Sequence, residues 1–248
     1  MKRILSSLAH GALNQLGLEV RLLKNVRRAQ EIANRERAHR AWSFLQHRRI
    51  ETVLDIGANT GQFAATINQV CPKAEIHSFE PLDACYSQLV KNLAGYPNAK
   101  TYPFALGDAD SKVEMYHSDF SPSSSLLKMT KRHIDLFPQS ERSQKETIEV
   151  RRLDDVVDVE SLRAELLIKI DVQGSELSVI RGGRNTLRQA SHVVIEVNFD
   201  PLYEGQPTFA QLHDELKALG LAFRGQVEQF ADPANGSPIF ADVYFTRE

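Results

Sequence analysis

The chain has 248 residues, 30 Lys and Arg against 32 Asp and Glu, two Cys and 42% hydrophobic residues, a composition that excludes disorder and collagen-like repetition and suits one large domain or two small ones. No uncharged run approaches the ~20 apolar residues that span a bilayer, so no transmembrane segment is expected. Cys71 and Cys85 form neither a CxxC pair nor a disulfide framework, which fits a reducing, cytoplasmic setting.

Met1-Lys2-Arg3 with Ile4 and Leu5 begins like a secretory signal, but Ser6, Ser7 and His10 interrupt the apolar run, so no cleaved signal is expected. Leu5, Leu8, Ala12, Leu16, Val20 and Leu23 recur every three or four residues, which predicts one helix, and a second covers Asn25 to His47. Residues 1–50 carry 11 Lys and Arg against Glu19, Glu31 and Glu36, a local +8 that leaves −10 on the remainder. They are read as a basic helical extension. Its arginines either face water or hold an anionic partner, such as a phospholipid surface, where the protein would sit peripherally, a sugar diphosphate or an acidic glycan. Nucleic acid is not expected, because only Trp42 and Phe44 could stack on bases there.

From residue 51 to 248 short apolar runs alternate with helix-period segments, the pattern of a mostly parallel sheet with helical crossovers. Val53–Ile56 is the first predicted strand, Phe63, Ile67 and Val70 the helix stripe that Pro72 stops, and Ile76–Phe79 the second strand. Leu82, Cys85, Leu89 and Leu93 mark the next helix, and Lys100–Leu106 the third strand. Lys112–His117 and Thr147–Leu153 pair as an inserted hairpin around Ser118 to Glu146, read as a loop or lid. Leu166–Val172 is a buried central strand, Glu176–Leu187 a helix, Val193–Val197 a strand, and Phe209 to Leu219 a helix. Leu221–Phe230 and Phe240–Thr246 close the chain as an antiparallel pair at the sheet edge, turned by Asp232 to Gly236. The fold class is α/β, a single Rossmann-like domain with an N-terminal extension.

In such sheets ligands collect beyond the carboxyl ends of the strands. After the first strand, Gly57 allows a sharp turn and Gly61 opens a helix whose free N–H groups favour oxygen ligands. Asn59 stands where a dinucleotide fold has its second glycine, and the third is missing, which disfavours nicotinamide chemistry. Glu80 follows the second strand, 19 residues beyond Gly61, and its two oxygens can accept both hydroxyls of a ribose.

The segments Val53-Leu54-Asp55-Ile56-Gly57-Ala58-Asn59-Thr60-Gly61-Gln62-Phe63, Phe79-Glu80-Pro81, Ala105-Leu106-Gly107-Asp108 and Leu153-Asp154-Asp155 occur in the order and spacing of a known group. Ile168-Lys169-Ile170-Asp171-Val172-Gln173-Gly174-Ser175-Glu176 and Arg181-Gly182-Gly183 complete the series. Over about residues 51 to 200 the chain resembles the FkbM-type S-adenosylmethionine-dependent methyltransferases. The resemblance implies the class I methyltransferase fold, a seven-stranded sheet with an antiparallel last strand, and methyl transfer usually to a hydroxyl. It also implies that Asp55, Gly57, Asn59 and Gly61 cradle the amino-acid part of the cofactor, that Glu80 holds its ribose, and that Ala105, Leu106 and Asp108 border its adenine. Asp171 would face the methyl group and the acceptor with Lys169 as its neutralising partner, while Gln173, Glu176, Glu196 and Asn198 close a polar cup. Ser124 and Ser125 match a serine pair in the family's insert and suit a polyhydroxylated acceptor. The chain departs from the family's pattern at Gln173, where an acid is common, and at Ser175, where Ala is frequent.

Methyl transfer from a sulfonium is an in-line displacement, so positioning supplies most of the effect and Asp171 or Glu196 serves as proton acceptor. The expected acceptor is a sugar hydroxyl in a glycan or glycosylated metabolite. The competing readings are a small non-sugar metabolite, a binding module without turnover, and a nicotinamide oxidoreductase. Asp154, Asp155, Asp171, Glu176 and Glu196 offer enough oxygen ligands for a divalent metal, although no spacing demands one. No Cys/His cluster suggests zinc, and His117, His133 and His192 stand as alternative bases or acceptor contacts. The absence of a G-x-S-x-G elbow disfavours serine hydrolysis.

Overall fold

The computed structural model describes residues 23–247, so the helix predicted from Leu5 to Val20 lies outside the described residues. Compactness divides the chain between Arg40 and Ala41. Helix α1 (Leu23–Trp42) places His39 and Arg40 in its last turn, where cations oppose the negative end of the helix dipole. A 3-10 turn, Ser43–His47, follows. Trp42, Leu45 and Ile50 are buried, with Trp42 edge-on to Phe63 at 5.0 Å between ring centroids. Among the described residues no helix is long and apolar enough to cross a membrane.

The larger unit is built on a seven-stranded sheet of order β3-β2-β1-β7-β8-β10-β9. Its members are β1 (Thr52–Ile56), β2 (Glu75–Phe79), β3 (Ala99–Tyr102), β7 (Leu166–Ile170), β8 (His192–Asn198), β9 (Leu221–Ala231) and β10 (Pro238–Arg247). All pairings from β3 to β8 are parallel, and β10 alone runs against its neighbours. This is the topology that the resemblance implied. Every residue of β1, β7 and β8 is buried, which is why these strands read as continuous apolar runs. Leu54, Ile56, Ile168, Ile170, Val193 and Ile195 form the centre of the core.

Helices α2 (Gln62–Val70), α3 (Asp83–Leu93) and α8 (Phe209–Ala218) bury the stripes expected of them: Ala64, Ile67 and Val70, then Cys85, Leu89 and Leu93, then Leu212 and Leu216. Helix α8 starts with a capping box in which Thr208 and Gln211 satisfy each other's backbone N–H groups.

Three expectations are corrected. The run Lys100–Leu106 is not one strand: β3 ends at Tyr102, and Ala105–Gly107 is a separate strand, β4. Pro103 has no N–H with which to continue the ladder, and β4 joins a second sheet of order β4-β6-β5. The inserted hairpin exists, with β5 (Ser111–Ser118) antiparallel to β6 (Ser143–Arg152), but β6 starts inside the stretch read as a loop. The remainder of that stretch is packed structure, including α4 (Lys131–Leu136) and the buried residues Ser123, Ser124, Ser125 and His133.

The predicted helix Glu176–Leu187 is two, α6 (Glu176–Gly182) and α7 (Arg184–Gln189). The break is at Gly183, whose backbone leaves the helical region at φ −122, ψ 26, and a Cβ there would lie 2.7 Å from Leu153 Cδ2, at the start of α5 (Leu153–Val156). The leucine can give way, so Gly183→Ala is expected to cost about 1–3 kcal/mol as an overpacked contact. Thermal unfolding followed by circular dichroism checks this, and an unchanged Tm would refute it.

Candidate active site

Strands β1 and β7 are parallel neighbours with Asp55 opposite Lys169, so the loops leaving their carboxyl ends lie side by side. They touch through backbone. Gly57 has φ +86, and a Cβ there would come 1.8 Å from the carbonyl oxygen of Asp171, so no side chain can be placed without moving a loop. Gly57 N and Ala58 N both donate to Phe79 O, at 3.1 and 2.9 Å, which ties the glycine loop to the end of β2.

Glu80 stands at that end and is buried. Its Oε2 accepts from Asn59 N and its Oε1 from Leu82 N, both at 2.9 Å. Burial pushes its carboxyl up to about 7, although the two N–H bonds pull the other way. Asn59 also donates through Nδ2 to Ser121 Oγ at 3.2 Å, linking the glycine loop to the inserted segment.

A row of charged groups crosses β1, β7, β8 and β10. Lys169 is buried and its Nζ donates to Asp171 Oδ2 at 2.7 Å. Burial alone would pull this ammonium's pKa down, but the carboxylates of Asp171, Asp242 and Asp55 outweigh it and hold it above the ordinary lysine value. Asp55 Oδ1 has no hydrogen-bond partner, Ser78 Oγ donates to Oδ2 at 3.4 Å, and burial raises the carboxyl to about 6. Asp242 faces Glu196 across the β8–β10 pairing. Burial raises Asp242 to about 6 and drives Glu196 well above the ordinary carboxylate range, with Asp171 and Asp242 adding repulsion.

Gln173 organises the gap between these groups. It adopts φ +55, its Nε2 donates to Asp171 Oδ1 at 2.7 Å and to Glu196 Oε1 at 3.0 Å, and its Oε1 accepts from Tyr203 OH at 2.7 Å. Both amide hydrogens are used, and the tyrosine fixes which way the amide points.

These loops and strand ends line one cavity of about 470 Å³, within the range of small-molecule sites. Of the residues expected from the sequence, Gly57, Asn59, Glu80, Ala105 and Leu106 line it, as do Ser124, Lys169, Asp171, Gln173 and Glu196. The others do not. Asp55 lies beneath the loop beside Lys169, and Gly61 is the helix cap packed on Leu89. Asp108 is exposed beyond β4. Ser125 Oγ is turned to Gln173 O. Glu176 Oε1 accepts from Gly174 N at 2.9 Å and Val172 N at 3.3 Å, so it shapes the loop instead of facing the cup. Asn198 is buried with Oδ1 unpartnered.

Asp242, His133, Phe137 and Phe240 line the cavity without having been expected there as site residues, except that His133 was one of three scattered candidate bases. Its ring nitrogens are buried without partners, and burial holds it neutral with a pKa near 4. His117 instead contacts Glu146 and His192 contacts Tyr244. Only the pairing register, which no motif encodes, brings Asp242 beside Glu196. Among the described residues no three His, Cys, Asp or Glu are grouped as metal ligands; the carboxylates surround an ammonium.

The sequence profile of the methyltransferase FkbM domain matches residues 55–223. The 2-O-methyltransferase NoeI of Sinorhizobium fredii is 28% identical over 191 residues, 75% of this chain and 79% of that protein. The hexuronic acid methyltransferase AglP of Haloferax volcanii is 26% identical over 148 residues, 60% of this chain and 56% of that one. The crystal structure of an FkbM methyltransferase from Methylobacillus flagellatus superposes with a TM-score of 0.51 at 18% identity, covering 79% of this chain and 44% of that one, a likeness of fold.

Proposed function

The chain belongs to the FkbM methyltransferase family and is an S-adenosylmethionine-dependent methyltransferase, and from that premise we propose that it methylates a hydroxyl oxygen of a sugar. The observation that carries the reading is one continuous cavity that runs from the glycine loop and Glu80 to Asp171, Gln173 and Glu196. The names of two relatives, a 2-O-methyltransferase and a hexuronic acid methyltransferase, support oxygen and sugar as the acceptor class.

The residues present fit the cofactor. Glu80 engages one N–H on each oxygen, and an ionised carboxylate has about four acceptor positions, so two remain for ribose hydroxyls. Gly57 leaves room for close backbone approach, and Ala105, Leu106 and Leu82 give an apolar wall for a flat heterocycle. When bound, S-adenosylmethionine supplies a methyl group carried on a positively charged sulfonium.

On the acceptor side, Asp171 accepts the proton of the hydroxyl as its oxygen becomes nucleophilic. Lys169 holds one of its oxygens and Gln173 the other, so the carboxylate is oriented before the acceptor arrives. Glu196, driven toward its protonated form, adds a polar contact without a second full negative charge. Ser124 provides a further polar wall.

Titration calorimetry with S-adenosylhomocysteine, followed by methyl transfer to a panel of sugars, tests the reading. Glu80 loses its proton near pH 7 in the free protein, and the ionised form accepts ribose hydroxyls better. Affinity is therefore expected to rise between pH 6 and pH 8, and Glu80→Gln to remove that rise. A flat wild-type profile together with unchanged affinity in Glu80→Gln would take Glu80 out of the cofactor site, and failure to methylate any sugar would overturn the acceptor assignment.

A further inference from the structure

The wall of the cavity near β8 and β10 carries the carboxylates of Asp171, Glu196 and Asp242. Lys169 is the one Lys or Arg among the described residues that line the cavity; its side chain is 8% exposed and its ammonium is already bonded to Asp171 at 2.7 Å. Asp242 differs from the other two acids in its bonding. Asp171 and Glu196 both accept from Gln173, whereas Asp242 Oδ1 is buried with no hydrogen-bond partner. Phe137 and Phe240, at 6.5 Å between ring centroids, line the cavity together with His133.

Given the sugar reading above, on which this rests, we propose that Asp242 is a specificity determinant that restricts the acceptor to rings bearing no acidic group. A uronate carboxylate entering beside Asp242 would lose its water next to a like charge, with the Lys169 ammonium already committed to Asp171, and burial of a charge without a partner is strongly unfavourable. A ring hydroxyl or amine does the opposite: it brings a donor to the acidic wall that Asp242 helps to form, while the C–H face of the ring lies against the phenylalanines. Discrimination comes from repulsion of the wrong ring as much as from attraction of the right one.

The experiment compares kcat/KM for a panel of hexosides and 2-amino-hexosides with the matching hexuronosides, in the wild type and in Asp242→Asn. Calorimetry with S-adenosylhomocysteine and a thermal melt run in parallel. The wild type is expected to favour rings without a carboxylate by about 100-fold or more, and Asp242→Asn to narrow that ratio at least about tenfold at unchanged cofactor affinity. Hexuronosides used as well as their neutral counterparts by the wild type would overturn the proposal even if the variant failed to fold. So would a ratio that Asp242→Asn leaves unchanged. If the cofactor analogue binds and no ring of either kind is methylated, the sugar reading itself fails.

Discussion

Asp171→Asn is expected to lower methyl-transfer turnover by about 10²–10⁴-fold, the range associated with loss of a positioned acid or base, while S-adenosylhomocysteine binds within a few-fold of the wild type. The substitution is nearly isosteric and keeps an oxygen for Lys169 Nζ, now 2.7 Å away. The ammonium also retains Asp55 and Asp242 as neighbours, so it is not abandoned without counter-charge. With that oxygen kept for Lys169, the new NH2 meets Gln173 Nε2 donor against donor, so the variant lacks the Gln173 bond as well as a group able to take the hydroxyl's proton. Breaking a buried ion pair can by itself cost about 3–5 kcal/mol, so the thermal transition must be followed beside kcat. A collapsed transition with proportionate loss of cofactor binding would mark Asp171–Lys169 as a structural pair. A preserved transition with lost turnover assigns the proton to Asp171.

Gly57→Ala is expected to abolish cofactor binding and to destabilise the fold by more than about 4 kcal/mol, a fall in Tm of about 8–16 °C for a chain of this size. Two costs add. At φ +86 any side chain is strained, by about 1–3 kcal/mol, and the new Cβ would stand 1.8 Å from a backbone carbonyl, which cannot swing away as a side chain can. Gly205 separates the two, since it has φ +78 but nothing within 4 Å of its missing Cβ. Gly205→Ala should show the strain alone, a loss of about 1–3 kcal/mol. Equal Tm values for the two variants would mean that the contact with Asp171 carries no weight.

Legibility in the sequence followed locality. β1, β2, β7 and β8 were visible because strands buried on both faces are unbroken apolar runs, and Gly57, Asn59 and Glu80 because they follow those strands directly. Asp108 was assigned to the adenine by the family resemblance, and the structure leaves it exposed beyond β4 and off the cavity lining. The Ser118–Glu146 stretch looked like a lid because serines are polar, yet Ser118 and Ser125 are buried and satisfied by backbone groups, which composition cannot reveal. Tyr203 reaches Gln173 from 30 positions away, and Asp242 meets Glu196 through strand register. Neither relation leaves a local trace.

The inserted sheet and turns contribute Ser123, Ser124, His133 and Phe137 to the cavity, while Glu80, Lys169, Asp171 and Glu196 belong to the main sheet and its loops. The cavity is thus a joint product of both sheets, and the bonds Asn59–Ser121 and Ser125–Gln173 stitch the insert to the loops of the main sheet. Residues between β5 and β6 therefore cannot be exchanged freely, because a change at Ser121 or Ser125 reaches the glycine loop or the Gln173 turn.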